Sequence, residues 1–190
     1  MLKNFLFKIK IVNFEIQIQL TFFLYFFLVF LLPFSYIENA IYVCIILLAS
    51  IIHELGHILV AKLCSIKVLF LRLSVLTFFI KIDNKDLTKL KSLLITVGGP
   101  IASFLLYFAI SFCFTENSSF LIAIKTTLLI LAVFNLVPFH GFDGQVIFFL
   151  CIDYICNKLG VKFNKKIISH ILVILSVLIC CVLIYISVYN

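Results

Sequence analysis

His53, Glu54 and His57 stand in the order His-Glu-x-x-His. On a helix, a spacing of four puts both imidazoles on one face. They can then converge on one Zn²⁺ at nitrogen–metal distances of about 2.0–2.1 Å. Glu54, one residue along, reaches a metal-bound water rather than the metal, which is where a general base belongs. A catalytic zinc takes three protein ligands and keeps one position open, so a third ligand must come from elsewhere. Asp143, His140, Asp153 and His170 are the candidates. Asp143 suits best: it follows the end of an apolar run, and flanking Gly141 and Gly144 permit a tight turn. His140 is the rival, as a ligand or a neighbour of one. Asp153 and His170 read more simply as structural or headgroup-facing groups.

The elements that must position these residues are apolar. The chain has 190 residues, 65% hydrophobic and 12% charged, with a mean hydropathy of +1.30. A soluble domain carries about 25% charge, and half of that cannot clothe a globule of this size. The composition excludes a soluble domain, a disordered tail and, despite the net charge of +7, a nucleic-acid binder. The expected fold is an all-α polytopic membrane protein. Five stretches are long enough to cross at roughly 20 residues per span: 18–37, 41–61, 93–114, 120–137 and 167–188. Basic residues precede the first and fill the 62–91 and 158–166 connections, while Glu38 and Glu116 mark the others. This pattern predicts a cytoplasmic N-terminus and places His53 inside the bilayer, nearer the cytoplasm.

The segment 145–160 is short and interrupted by Asp153, which predicts an interfacial helix; a sixth span there would strand four lysines outside. Between Lys67 and Ile82 the β-branched and aromatic residues predict a small membrane-associated β element near 68–82, with a surface helix as the alternative. The seven cysteines are scattered in apolar context without a CxxC and behave as small hydrophobes.

The rarer residues are gathered. Five of six glycines, two of three prolines and three of four histidines fall in 53–57 (HELGH), 98–100 (GGP) and 135–144 (NLVPFHGFDG). In lipid, ionisable groups are costly and usually functional, and glycine and proline mark close packing or broken helix. Burying His53, Glu54 and His57 in an apolar span costs several kcal/mol unless a partner such as a metal offsets it.

HELGH in one span, GGP in a later one and Asn135-x-x-Pro138 leading to Asp143-Gly144 resemble the site-2 protease family of intramembrane zinc metalloproteases. The short N-terminal span and the length of the 62–91 connection are most similar to the stage IV sporulation protein FB branch. The resemblance implies one intramembrane metalloprotease domain over 1–190, with no PDZ insert and no C-terminal regulatory domain. It implies His53, His57 and Asp143 as ligands of one Zn²⁺ per chain, Glu54 as the catalytic carboxylate, and Asn135 and Pro138 in a broken helix that receives substrate. Gly98 and Gly99 either contact substrate or, the reading favoured here, permit close helix packing. Phe142 and Gln145 depart from the family, which usually has Leu before the Asp and a second Gly after the Asp-Gly. The implied substrate is a membrane-tethered sigma-factor precursor in the bacterial cell or forespore membrane, with an anti-sigma factor or signal-peptide remnant as alternatives, and with inhibitory membrane proteins as further partners. Readings of another class are a metal transporter or an inactive membrane scaffold. The first and third spans carry no ionisable residue for a transport path, and a scaffold has no need of Glu54.

Overall fold

The structure, a computed structural model, describes residues 5–11, 14–19, 35–73, 78–115, 118–139, 141–175 and 178. It divides into two units, Met1–Val133 and Phe134–Asn190. The first contains strands β1 (Phe5–Ile11) and β2 (Phe14–Gln19), helix α1 (Tyr36–Leu63), strands β3 (Val68–Leu73) and β4 (Phe78–Ile82), and helix α2 (Lys89–Cys113). Helix α3 (Ser119–Leu136) ends across the boundary, and the second unit holds α4 (Asp143–Leu159).

Polar residues at its ends delimit α1. Ser35 forms a capping box: its Oγ accepts from the Glu38 N–H at 3.3 Å, and the Glu38 carboxylate accepts from the Ser35 N–H at 3.2 Å. At the far end Ser65 adopts φ 57°, and the Ile66 N–H reaches back to the Ala61 carbonyl at 2.8 Å, the left-handed closure that satisfies a last-turn carbonyl. Thr88 caps α2, its Oγ1 accepting from the Lys91 N–H at 3.2 Å.

The four strands form one sheet in the order β1-β2-β3-β4. The outer pairings are antiparallel, and β2 runs parallel to β3, with Gln17 opposite Arg72. Arg72 donates to Gln17 at 3.3 Å, and Gln17 donates to Glu15 at 2.8 Å. A small core joins this sheet to the helices: Ile58 and Ala61 of α1, Ile66, Val68 of β3 and Ile95 of α2, flanked by Ile80 and Ile82 of β4. Each fully buried aliphatic side chain contributes about 1.5–3 kcal/mol. The core therefore fixes the last two turns of α1 against α2, one residue beyond His57.

Three described helices are long and apolar enough to cross a membrane: Ile37–Leu63, Lys89–Cys113 and Ser119–Leu136. They correspond to the expected spans 41–61, 93–114 and 120–137. Of the five spans expected, the other two are not established. Most of 18–37 lies outside the described residues, and its ends belong to β2 and α1. In 167–188 only residues up to 175, together with 178, are described, and these are helical. Glu38 is also corrected: it is not in a connection but in the first turn of α1. The β element expected near 68–82 is present as β3 and β4, but as half of a four-stranded sheet. The expectation of a helical chain missed β1 and β2.

In the second unit, α4 covers the short helix expected at 145–160. It ends at Gly160 with φ 68°. Asp153 pairs with Lys165 at 2.5 Å, tying α4 to the helical residues 165–175.

Candidate metal centre

The positions of the histidines follow from how closely α1 and α2 approach. A Cβ on Gly56 would overlap the Gly98 carbonyl oxygen and sit 2.6 Å from Ala102 Cβ. One on Gly98 would lie 2.8 Å from Val60 Cγ2 and 2.9 Å from the Gly56 oxygen. The two backbones therefore meet with no side chain between them, the contact that small residues permit between membrane helices. This places the 95–103 face of α2 directly against HELGH.

Both imidazoles are buried, His53 at 3% and His57 at 7% exposure. Their rings stand edge to face, with centroids 5.0 Å apart at 82°. His57 Nδ1 lies 2.7 Å from the Ile95 carbonyl oxygen. The Gly99 N–H faces the same nitrogen at 3.2 Å. Both bonds cannot form at once, because a protonated Nδ1 donates and has no lone pair to accept with. The shorter contact is to an acceptor-only carbonyl, so Nδ1 carries the proton, and in the neutral ring Nε2 is the nitrogen available to ligate. His53 Nδ1 is 3.1 Å from Ser103 Oγ, a hydroxyl with no exposed surface.

Both Nε2 atoms lie over Gly99. A Cβ there would overlap His57 Nε2 and come within 2.7 Å of His53 Nε2. The second glycine of GGP thus faces the imidazoles, while the first serves the helix crossing. Pro100, inside α2, has no N–H to give the Thr96 carbonyl one turn back. The helical ladder is therefore altered beside the step at which His57 meets Ile95. Glu54 is half-buried on α1, next to His53. A separate apolar cleft of about 630 Å³, lined by Ile41, Cys44, Leu48, Leu106, Phe120 and others, holds no titratable side chain except Cys44. The candidate chemistry therefore belongs to the histidines.

The other expected residues lie in the second unit. Asn135 is half-buried in the last turn of α3, and Pro138 is half-buried in the turn that follows. The Phe139 N–H bonds the Val137 oxygen at 2.7 Å across Pro138. Gly141 takes φ 91°, a conformation that suits glycine. Gly144 lies under the Leu136 and Val137 carbonyls, where no Cβ fits. Gln145 accepts from the Gly141 N–H at 3.2 Å and so braces this turn. Asp143 is half-buried at the first position of α4, where the helix dipole favours a carboxylate. His140 lies outside the described residues. Asp153 is paired with Lys165. His170 is exposed and bonds the Lys166 oxygen through Nδ1 at 2.6 Å. Both are thus held by structural contacts.

Two partners of the histidines were not anticipated: Ser103 and the Ile95 carbonyl. A main-chain carbonyl leaves no mark in a sequence. Ser103 does, as a hydroxyl one helical turn after Gly99 in an apolar run.

No family model and no curated protein matches the chain. Among solved structures, it is similar to the site-2 protease from Methanocaldococcus jannaschii, with a TM-score of 0.60 and 24% sequence identity. The match covers 75% of this chain and 70% of that one. At that identity the likeness is one of fold.

Proposed function

We propose that this chain is a zinc-dependent endopeptidase that cleaves membrane-embedded or membrane-tethered proteins. One observation carries the reading: two imidazoles, buried in an apolar helix, direct their Nε2 atoms to the same small space over Gly99. Their Nδ1 atoms are engaged by Ile95 and Ser103. Metal-bound histidines are oriented in this way, with one ring nitrogen hydrogen-bonded and the other free to ligate. The residues therefore fit a zinc ion. With His53 and His57, the proposed third ligand is Asp143, the carboxylate that the family resemblance implies. Two imidazoles and a carboxylate leave a fourth position for water or substrate. The similarity of fold to a site-2 protease supports the same reading.

When bound, zinc polarises a carbonyl and lowers the pKa of its water to about 7. Glu54 takes the proton from the attacking water and passes it to the departing amine as the peptide bond breaks. Asn135 donates an amide N–H to the carbonyl oxygen as negative charge builds there. Pro138 keeps the turn after α3 from continuing as helix, which suits a place that receives extended backbone. The outer edge of β4 offers main-chain donors and acceptors to an unwound substrate. Gly98 and Gly99 bring the helices together and leave room for the imidazoles, so any substrate contact they make is secondary.

The basic connections support an orientation with the N-terminus and the site toward the cytoplasm. The finer substrate reading, a membrane-tethered sigma-factor precursor processed during sporulation, rests on the sequence resemblance. The test is co-expression of the unaltered chain and Glu54→Gln with candidate membrane-tethered precursors. The unaltered chain should shorten a precursor, and Glu54→Gln should leave it intact while retaining zinc. Equal processing by both proteins would remove Glu54 from the mechanism.

A further inference from the structure

We infer that Ser103 is a positioning residue for the metal: its hydroxyl holds His53 in the tautomer and ring orientation that present Nε2 to the ion. The inference rests on the metallopeptidase reading and extends it to a residue outside the ligand set. Ser103 Oγ is 3.1 Å from His53 Nδ1, and Ser103 has no exposed surface, so no water can replace it. A serine hydroxyl both donates and accepts and does not alone fix which ring nitrogen bears the proton. Ligation of the ion does. His53 Nε2 faces Gly99 beside His57 Nε2, and a proton there would point at the second imidazole's lone pair and at the ion. With Nδ1 protonated and donating to Ser103, Nε2 keeps its lone pair on the side of the ion.

The two histidines are thus held in different ways. His57 is held by a main-chain carbonyl, at 2.7 Å from Ile95, which no side-chain substitution removes. His53 Nδ1 instead meets a side-chain hydroxyl, which a substitution can remove. Ser103 is also one turn beyond Gly99 on α2, so the residue that makes room for the imidazoles and the residue that orients one of them lie on the same helix face. Removing the hydroxyl takes away the partner that orients Nδ1 and loosens the ring about its χ2. A ligand in that state must be reordered each time the metal binds. Partners of metal-ligating histidines change affinity by about 10–100-fold when removed.

The experiment measures zinc affinity by chelator competition in detergent-purified protein, for the unaltered chain and Ser103→Ala. It is paired with ¹⁵N NMR of the histidine rings in the zinc-loaded protein. The expected result is a 10–100-fold loss of zinc affinity in Ser103→Ala at the same helix content. In the unaltered protein the ring spectra should show His53 with Nδ1 protonated and Nε2 ligating, and in the variant a mixture of ring states. The His57 signals should stay as they were. A merely structural role for Ser103 moves thermal stability and leaves the His53 ring signals unchanged. Equal zinc affinity in the two proteins overturns the inference and leaves the metallopeptidase reading standing. Absence of tight zinc from the unaltered chain overturns both. If Ser103→Ala fails to fold, the unaltered protein's spectrum decides: a proton on His53 Nε2 is incompatible with the assignment, and one on Nδ1 supports it.

Discussion

Replacing Gly99 with alanine adds one methyl group, and the structure says where it must go. The new Cβ overlaps His57 Nε2, lies 2.6 Å from His57 Cε1 and 2.7 Å from His53 Nε2. Ordinary contact between such atoms is about 3.5–4.0 Å, so the shortfall is on the order of 1 Å. The imidazoles cannot yield freely, because His57 is bonded to Ile95 and His53 to Ser103. Nor can α2 withdraw easily, because Gly56 and Gly98 hold the backbones in contact and the Ile58–Ile95 core lies just beyond. Metal–ligand distances tolerate only about 0.2 Å, so a shift of this size in either ring disables the pair. Gly99→Ala should weaken zinc binding by at least about 100-fold, the upper end of what losing an orienting partner costs. Strain from the added methyl should lower stability by about 1–3 kcal/mol. Chelator competition and thermal unfolding of the purified protein measure the two effects separately. If Gly99 instead serves to contact substrate, the variant keeps its zinc and shows a raised KM. Zinc affinity within twofold of the unaltered chain refutes the packing argument.

Other substitutions test other parts of the account. Glu54→Gln should retain zinc and lose about 10²–10⁴-fold in turnover, the usual contribution of a positioned acid–base group; turnover assays on the zinc-loaded variant check this. Gly56→Ala presses on a main-chain oxygen rather than a side-chain tip, so it should destabilise the fold by about 1–3 kcal/mol or more, read as a lower unfolding temperature in detergent. Ser35→Ala removes the cap of α1 far from the histidines. It should cost about 0.5–2 kcal/mol and leave zinc affinity unchanged. Chelation should abolish cleavage by the unaltered chain, and added zinc should restore it.

Much of the candidate site was legible because polar residues are conspicuous in an apolar helix. His53 and His57 stand in an apolar run at helical spacing, and the glycines of GGP stand out for the same reason. Their division of labour was not legible. That Gly98 receives the α1 backbone while Gly99 faces the imidazoles depends on the rotation of α2, which no local pattern encodes. The start of α1 was readable and was missed: Ser35-x-x-Glu38 is a capping-box pattern, but a hydropathy window treats Glu38 as a break between spans. β1 and β2 were missed for a related reason. Phe14–Gln19 alternates apolar and polar residues, the strand period, but it adjoins an apolar run that dominates any longer window. The Gly141–Gln145 bond braces the turn before α4, something only the three-dimensional arrangement reveals.

The central claim is that two imidazoles and one carboxylate hold a single zinc ion within the membrane layer. Zinc X-ray absorption on the purified chain addresses it directly. One zinc per chain is expected, with a first shell of nitrogen and oxygen at about 2.0–2.1 Å, imidazole scattering from two rings, and loss of one oxygen ligand in Asp143→Ala. A chain that binds no zinc, or one whose zinc shell contains sulfur and survives removal of His53 and His57, contradicts the account.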